Sequence, residues 1–341
     1  MSTQSEAQLE KDFIRGLNNL GYESFSIADE FDLLHNLKVK LERLNSITFS
    51  NSEFQRILNI LGKGNVFERS ELLREKKHHI VNDKDKSVYF MLFDQENLSN
   101  NSFQVTSQVS LKGSYSTRSD VTLLINGLPL IHIELKRRGV EMKEAFNQIL
   151  RYKKNTFSSG YGLYQFVQLF VISNGVNTKY FANNRAPGFQ QTFFWADKDN
   201  KRISSLQEFS STFLNHSHLM DMIFTYTVLS TEKIAMVLRP YQYYAVKELV
   251  KKVKSSDDNG YIWHTTGSGK TLTSFKASQI ITKLNSVDKV CFVVDRKDLD
   301  YQTNREFNKF SEDSVDSTPD TRAFVKQFKD PNNKLVVNTI Q

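Results

Sequence analysis

The segment His264-Thr265-Thr266-Gly267-Ser268-Gly269-Lys270-Thr271 constrains this chain more than any other. Small residues let backbone N–H groups close around an anion, and a following helix points its positive end at it. Such a loop requires a strand before it and a helix after it. Gly260–Trp263 is the candidate strand and Leu272–Leu284 continues as the helix. From about residue 230 the pattern runs helix, strand, loop, helix, strand, helix, which predicts a parallel α/β sheet. Thr266, Gly267, Ser268 and Gly269 form the phosphate cradle. Lys270 reaches the β and γ phosphates of a nucleoside triphosphate, with ATP the expected one, and the Thr271 hydroxyl is placed to ligate Mg²⁺.

His264 stands where the usual phosphate-loop pattern has its first glycine, a relaxation similar to that of superfamily 2 helicase-like motors. Arg239-Pro240-Tyr241-Gln242, about one helix upstream, resembles their adenine-reading element, because a glutamine amide donates and accepts at once. A helix start with an early proline explains the same residues structurally. Phe292–Val294 reads as a buried strand leaving into the charged loop Asp295–Leu299, which in such motors touches the DNA backbone. Val336–Gln341 reads as the next strand and DNA-contact motif. An acidic strand that holds Mg²⁺ and an arginine from a second lobe would have to follow Gln341. The expectation is therefore ATP binding without efficient hydrolysis or translocation.

Bulk properties set wider bounds. The formal charge of +7 and pI near 9.2 suit a polyanionic partner such as nucleic acid, although charge alone does not decide it. Cys291 is the only cysteine, which rules out an intramolecular disulfide and a zinc cluster and fits a reducing cytoplasm. Met1–Lys11 is polar and does not resemble a signal peptide. The most apolar stretch, around Phe166–Ile172, is too short to span a bilayer.

Upstream, helices are expected over Ser5–Leu20, Ile27–Leu44, Glu53–Leu61 and Glu141–Thr156, and a buried strand over Phe166–Ser173. Residues from about Asn183 to Ser230 show no clear pattern, and a domain boundary is expected near Thr225–Lys233.

Asp120–Lys136 reads as a β-hairpin around Asn126-Gly127, a pair that tolerates positive φ. Asp120 opens its first strand and Glu134-Leu135-Lys136 closes its second. Metal-dependent nucleases need oxygen ligands for Mg²⁺ and often a lysine for the attacked phosphate. Asp120, Glu134 and Lys136 supply that set, with Asp120 and Glu134 as metal ligands. A simple two-residue turn would pair Asp120 with Ile133 and turn the carboxylates to opposite faces. Shared metal binding therefore predicts that Asp120 lies beside Glu134 and that the turn is not a simple two-residue one, with Pro129 favouring irregularity. Gln148 and Tyr152 share a helix face that can contact a nucleic-acid strand or this cluster, and Glu10, or less favourably Glu6, offers a further acidic ligand.

With these residues on the page, the chain resembles the restriction (R) subunit of type I restriction-modification enzymes, most closely the type IC branch. The resemblance rests on Arg118-Ser119-Asp120, Asn126–Leu130, Ile133–Lys136, Gln148-x-x-x-Tyr152, Ser173-Asn174-Gly175, His264–Thr271 and Val294–Leu299. It implies an α/β fold with a PD-(D/E)xK, RecB-like nuclease domain over 1–229. A partial RecA-like superfamily 2 lobe over 230–341 would follow. Asp120 and Glu134 become the metal ligands, Lys136 the catalytic lysine, and Gln148 and Tyr152 complete the element. Ser119 replaces the proline of the idealised pattern. The implied activity is ATP-dependent, Mg²⁺-dependent cleavage of unmethylated double-stranded DNA. The implied partners are methyltransferase (M) and specificity (S) subunits, and the chain would be a truncated piece of a longer subunit. An ATP- and DNA-binding scaffold with structural carboxylates, or a different superfamily 2 motor with an accessory domain, remain alternatives.

Overall fold

The computed structural model describes residues 4–112, 116–158, 160–294, 307–308 and 321–339. The chain divides into two compact units, Met1–Trp195 with Lys201–Phe224, and Ala196–Asn200 with Thr225–Gln341.

The first unit opens with α1 (Glu6–Asn19), whose buried Leu9, Phe13 and Leu17 repeat every four residues and form its inner face. After β1 (Glu23–Ser24) come α2 (Glu30–Asn45), α3 (Asn51–Leu61) and α4 (Val66–Leu72). Side chains of Asp29, Ser50 and Asn65 cap these helices, and each cap ends the extended stretch before it. The strands are β2 (His78–Val81), β3 (Ser87–Phe90), β4 (Phe103–Ser107), β5 (Ser110–Lys112), β6 (Ser116–Arg118), β7 (Val121–Ile125) and β8 (Leu128–Leu135). Helix α5 (Met142–Asn155) leads to β9 (Leu169–Ser173) and β10 (Thr178–Ala182), then β11 (Trp195–Ala196) and β12 (Arg202–Ile203). Helices α6 (Leu206–Phe213) and α7 (His216–Met220) end the unit with a π-helical turn, Asp221–Thr225.

A six-stranded mixed sheet in the order β1-β4-β7-β8-β9-β10 organises this unit. The β4–β7 and β7–β8 pairs are antiparallel, and β8–β9 is parallel. Every residue of β8 is buried, as befits a central strand covered on both faces. Helix α1 packs on β1, β4 and β8, and α5 on β8 and β9. The end of β8 is thereby enclosed, and the half-buried Lys136 follows directly after it.

Arg69 is an unusual core member. It donates to the carbonyls of Gly62, Gly64, Tyr161 and Gly162, and its aliphatic stem is covered to 3% exposure.

In the second unit, β13 (Thr227–Leu229) pairs with β14 (Ala235–Val237), and α8 (Pro240–Ser255) packs on α9 (Lys270–Ile281). β15 (Val290–Val294) runs parallel to β16 (Leu335–Thr339), with a helix over Thr321–Lys329 packed on β16. The expected strand at Gly260–Trp263 does not form. No described strand lies beside it to satisfy its backbone, and Tyr261 and Trp263 are each 89% exposed. The charged loop expected over Asp295–Leu299 lies outside the described residues. Among the described residues no helix is long and apolar enough to cross a membrane.

Candidate functional site

Two groups of side chains, one in each unit, carry chemistry. The first is built by the β7–β8 hairpin. Its turn is a two-residue one: Ile125 pairs with Leu128, and Asn126 and Gly127 take φ of 50° and 82°. The expected departure from a simple turn is therefore corrected. The register changes further up the ladder, where Leu124 faces Pro129 but Leu123 faces Ile131. Leu130 is the extra residue of this bulge, next to a proline that has no N–H to give the ladder. Beyond the bulge Val121 faces Ile133, and continuing that register one step sets Asp120 against Glu134, whose carboxyl its side chain meets.

Asp120 and Glu134 thus share a face. The Leu135 N–H donates to Asp120 Oδ2 at 2.9 Å, which fixes the aspartate against β8. Glu134 is fully buried, and Lys136 Nζ donates to its Oε1 at 2.8 Å and to Leu135 O at 3.0 Å. Burial, reinforced by the Glu134 charge, pushes Asp120 up to about 7. Burial likewise pushes Glu134 up to about 7, against the opposing pull of Lys136. Burial works to lower Lys136, but Glu134 outweighs it and the ammonium is held above its ordinary value.

Helix α5 brings Gln148 and Tyr152 to the same place. Gln148 Nε2 donates to the Tyr152 hydroxyl, which burial and then the Glu134 charge raise above the ordinary tyrosine value. From α1, Glu6 accepts from the Arg137 N–H at 3.1 Å, and its charge is felt at both Glu134 and Lys136. Glu10 accepts from Gln108 Nε2 at 2.7 Å, and the Gln108 N–H rests on Ser119 O and Asp120 O. Glu6, the less favoured of the two acids, acts on the cluster electrostatically. The Ser173-Asn174-Gly175 turn closes the far side, with Asn174 Nδ2 donating to Val140 O.

The residues fit a divalent cation. Glu134 Oε2 is buried without a hydrogen-bond partner, and two adjacent carboxyls held near 7 mark a place where added positive charge is favoured. Among the described residues no group of three or more His, Cys, Asp or Glu side chains forms a ready cage. Two carboxylates with water completing the shell is the arrangement Mg²⁺ commonly takes. Sequence reasoning missed His132, which is fully buried behind Glu134, with His132 Nε2 3.7 Å from Glu134 Oε2. Its signal was available: residues 132, 134 and 136 share one phase of the strand alternation.

The second group is the glycine-rich loop. Gly267 and Gly269 adopt φ of 73° and 77°, and α9 begins at Lys270. Gly269 holds a left-handed φ that side-chain-bearing residues rarely adopt, which favours glycine at that position. Lys270 Nζ donates to Thr265 O at 3.0 Å, within the cradle it closes. Ser268 Oγ lies 3.2 Å from His264 Nδ1, and burial and the Lys270 charge hold that imidazole below its ordinary value. Thr271 follows on the first turn of α9, partly buried. A cavity of about 960 Å³ opens here, lined by Arg239, Tyr241, Tyr244 and the loop from Thr265 to Ser268.

Gln242 departs from the adenine-reading expectation. It is buried at 4%, its Oε1 accepts from the Arg239 N–H at 3.0 Å, and its Nε2 faces Ser268 O and Gly269 O at 3.3 Å. With the Tyr241 hydroxyl donating to Ser268 O at 2.8 Å, it ties α8 to the loop. Reading a base would require these bonds to be exchanged.

By fold and site the chain is a two-part α/β protein with a carboxylate–lysine cluster before a phosphate-type loop. Family profiles match each part: the type I restriction enzyme R protein N terminus (HSDR_N) over residues 3–189, and the SWI2/SNF2 ATPase over 241–341. The type I restriction enzyme SsaAORF53P endonuclease subunit of Staphylococcus saprophyticus is 46% identical over 348 residues, covering 100% of this chain. The EcoprrI endonuclease subunit of Escherichia coli is 38% identical over 263 residues, covering 75% of this chain and 84% of the relative. The MjaVIIIP endonuclease subunit of Methanocaldococcus jannaschii is 28% identical over 62% of this chain. The chain belongs to the family of type I restriction enzyme R (endonuclease) subunits. It spans 37% of the length of the staphylococcal relatives it matches along its whole length.

Proposed function

We propose that this chain carries the DNA-cleaving centre and the ATP-binding loop of a type I restriction R subunit. Residues 1–229 form a PD-(D/E)xK, RecB-like nuclease domain, and 230–341 form the beginning of a RecA-like superfamily 2 lobe. The observation that carries this reading is the bulge that sets Asp120 beside Glu134 with Lys136 against the same carboxylate.

In this reading Asp120 and Glu134 hold Mg²⁺, which supplies Lewis acidity to the scissile phosphate of double-stranded DNA. Lys136 already donates to Glu134 and to Leu135 O, and the same ammonium has one further N–H to offer a phosphate oxygen as negative charge grows there. The Gln148–Tyr152 pair stands beside the carboxylates and orients the strand entering them. In the second unit the loop Thr266–Gly269 cradles ATP phosphates, Lys270 exchanges Thr265 O for the β and γ phosphates, and Thr271 joins the Mg²⁺ shell. In the full-length protein, assembled with M and S subunits, ATP would drive DNA past the nuclease.

The test uses the full-length R subunit in its assembled complex. Glu134→Ala or Lys136→Ala should abolish cleavage and leave ATP hydrolysis intact. Persistent cleavage by either variant refutes the nuclease assignment and favours a scaffold whose carboxylates are structural.

A further inference from the structure

Behind the two carboxylates runs a line of buried polar groups that the cleavage chemistry does not itself use. Ser119 Oγ lies 3.4 Å from the Tyr164 hydroxyl, which lies 3.2 Å from Thr122 Oγ1. Thr122 Oγ1 is 3.5 Å from His132 Nδ1, and His132 Nε2 is 3.7 Å from Glu134 Oε2. Ser119 and Tyr164 are each 2% exposed, and Thr122, His132 and Glu134 are 0% exposed. The imidazole is boxed edge-on by Tyr152, Phe157, Tyr164 and Phe170. Within the described structure neither His132 Nε2 nor Glu134 Oε2 has a hydrogen-bond partner. Two buried polar atoms without hydrogen-bond partners stand 3.7 Å apart.

We propose that His132 is a positioning residue that holds the Glu134 carboxylate for a divalent cation, at the end of a hydrogen-bond line running Ser119, Tyr164, Thr122, His132, Glu134. This rests on the nuclease reading of the site. The direction of donation follows from the groups themselves. A carboxylate at the end accepts only, so His132 must present Nε2–H to it. Its Nδ1 then accepts from the Thr122 hydroxyl, Thr122 accepts from Tyr164, and Tyr164 accepts from Ser119. Every dipole in the line points its positive end at Glu134. Full burial among four aromatic rings disfavours a charged imidazole, so the ring donates as a neutral group. Such outer partners fix the rotamer of a ligating carboxylate, and their loss weakens metal binding by about tenfold or more. The line also gives Ser119 a role, since its hydroxyl starts the chain where a proline would supply nothing.

The experiment has two readouts on the full chain. Nitrogen NMR of histidine-labelled protein, assigned by loss of one signal in His132→Gln, should show His132 as the Nε2–H tautomer; the Nδ1–H tautomer overturns the proposal whether or not a cation binds. Calorimetric titration with Mn²⁺ should show about tenfold weaker binding for His132→Phe, which fills the box but donates nothing. His132→Gln, whose amide reaches the same direction, should restore it. Wild-type affinity in a folded His132→Phe protein overturns the proposal. Absence of Mn²⁺ binding to the wild-type chain, with the Nε2–H tautomer present, refutes the underlying nuclease reading instead.

Discussion

The pH dependence of stability around Glu134 gives the sharpest quantitative expectation. Burial raises its carboxyl from 4.5 to about 7. A carboxyl raised in the folded state binds more protons there than in the unfolded chain, so stability is lost as pH rises from about 4.5 through about 7. The shift corresponds to about 3 kcal/mol at pH values above both limits. Glu134→Gln removes the ionisation, and the opposing pull of Lys136 is already contained in the raised value. The net gain for the first unit at about pH 8 is therefore about 3 kcal/mol, vanishing near pH 4.5. At roughly 2–4 °C per kcal/mol for domains of this size, the Tm rises by about 6–12 °C. Intrinsic fluorescence isolates this unit: Trp195 is buried at 1%, and the 89% exposed Trp263 is removed by a Trp263→Phe background. Excess Mg²⁺ at about pH 8 should raise the wild-type Tm and leave Glu134→Gln unmoved. A variant with no gain at high pH, or with an unchanged Mg²⁺ response, refutes the argument.

Gly127→Ala should destabilise the first unit by about 3 kcal/mol in chemical denaturation, because φ is +82° and the new Cβ would stand 2.6 Å from Leu37 Cα. Arg69→Met leaves the carbonyls of Gly62, Gly64, Tyr161 and Gly162 without their donor, and should cost about 3–5 kcal/mol in the same assay. ATP should quench the exposed Trp263 beside the cavity, and Lys270→Ala should weaken that titration by at least about tenfold, a loss of about 1.4 kcal/mol; unchanged affinity would contradict the ATP-binding assignment of the loop.

Local signals in this sequence carried well where a few adjacent residues decide the outcome. Asn126-Gly127 announced the hairpin because a tight turn needs positive φ, and the alternation around it placed Ile133 in the core, where it is buried. The face shared by Asp120 and Glu134 required an irregularity whose position the sequence did not disclose. Leu130 can be accommodated at the turn or along the ladder, and the packing of the turn decides between them. Gly127 lies against the backbone of Leu37, and Asn126 donates to Leu92 O and Asn101, so the turn is held rigid. The extra residue then goes into the strand.

Other features depend on partners distant in sequence. Gly260–Trp263 has strand composition but no described neighbour to pair with, and a strand exists only through its neighbours. The stretch from Asn183 to Ser230 resisted reading because β11 and β12 are two residues each and the π-helical turn at Asp221–Thr225 breaks the phase of the helices before it. Helix α6 also went unread there, although Leu206, Phe209 and Phe213 recur at helical spacing and are all buried. His132 sits in an apolar run where burial is the ordinary reading, and the strand alternation that places it on the face of Glu134 goes unnoticed there.

A Mn²⁺-soaked crystal of the chain, read by anomalous scattering, tests the central claim most directly. A single peak bridging Asp120 and Glu134, with Lys136 swung from Glu134 toward the open cleft, is the predicted result. Density elsewhere, or a Glu134 that keeps Lys136 with no Mn²⁺ between the carboxylates, would contradict it.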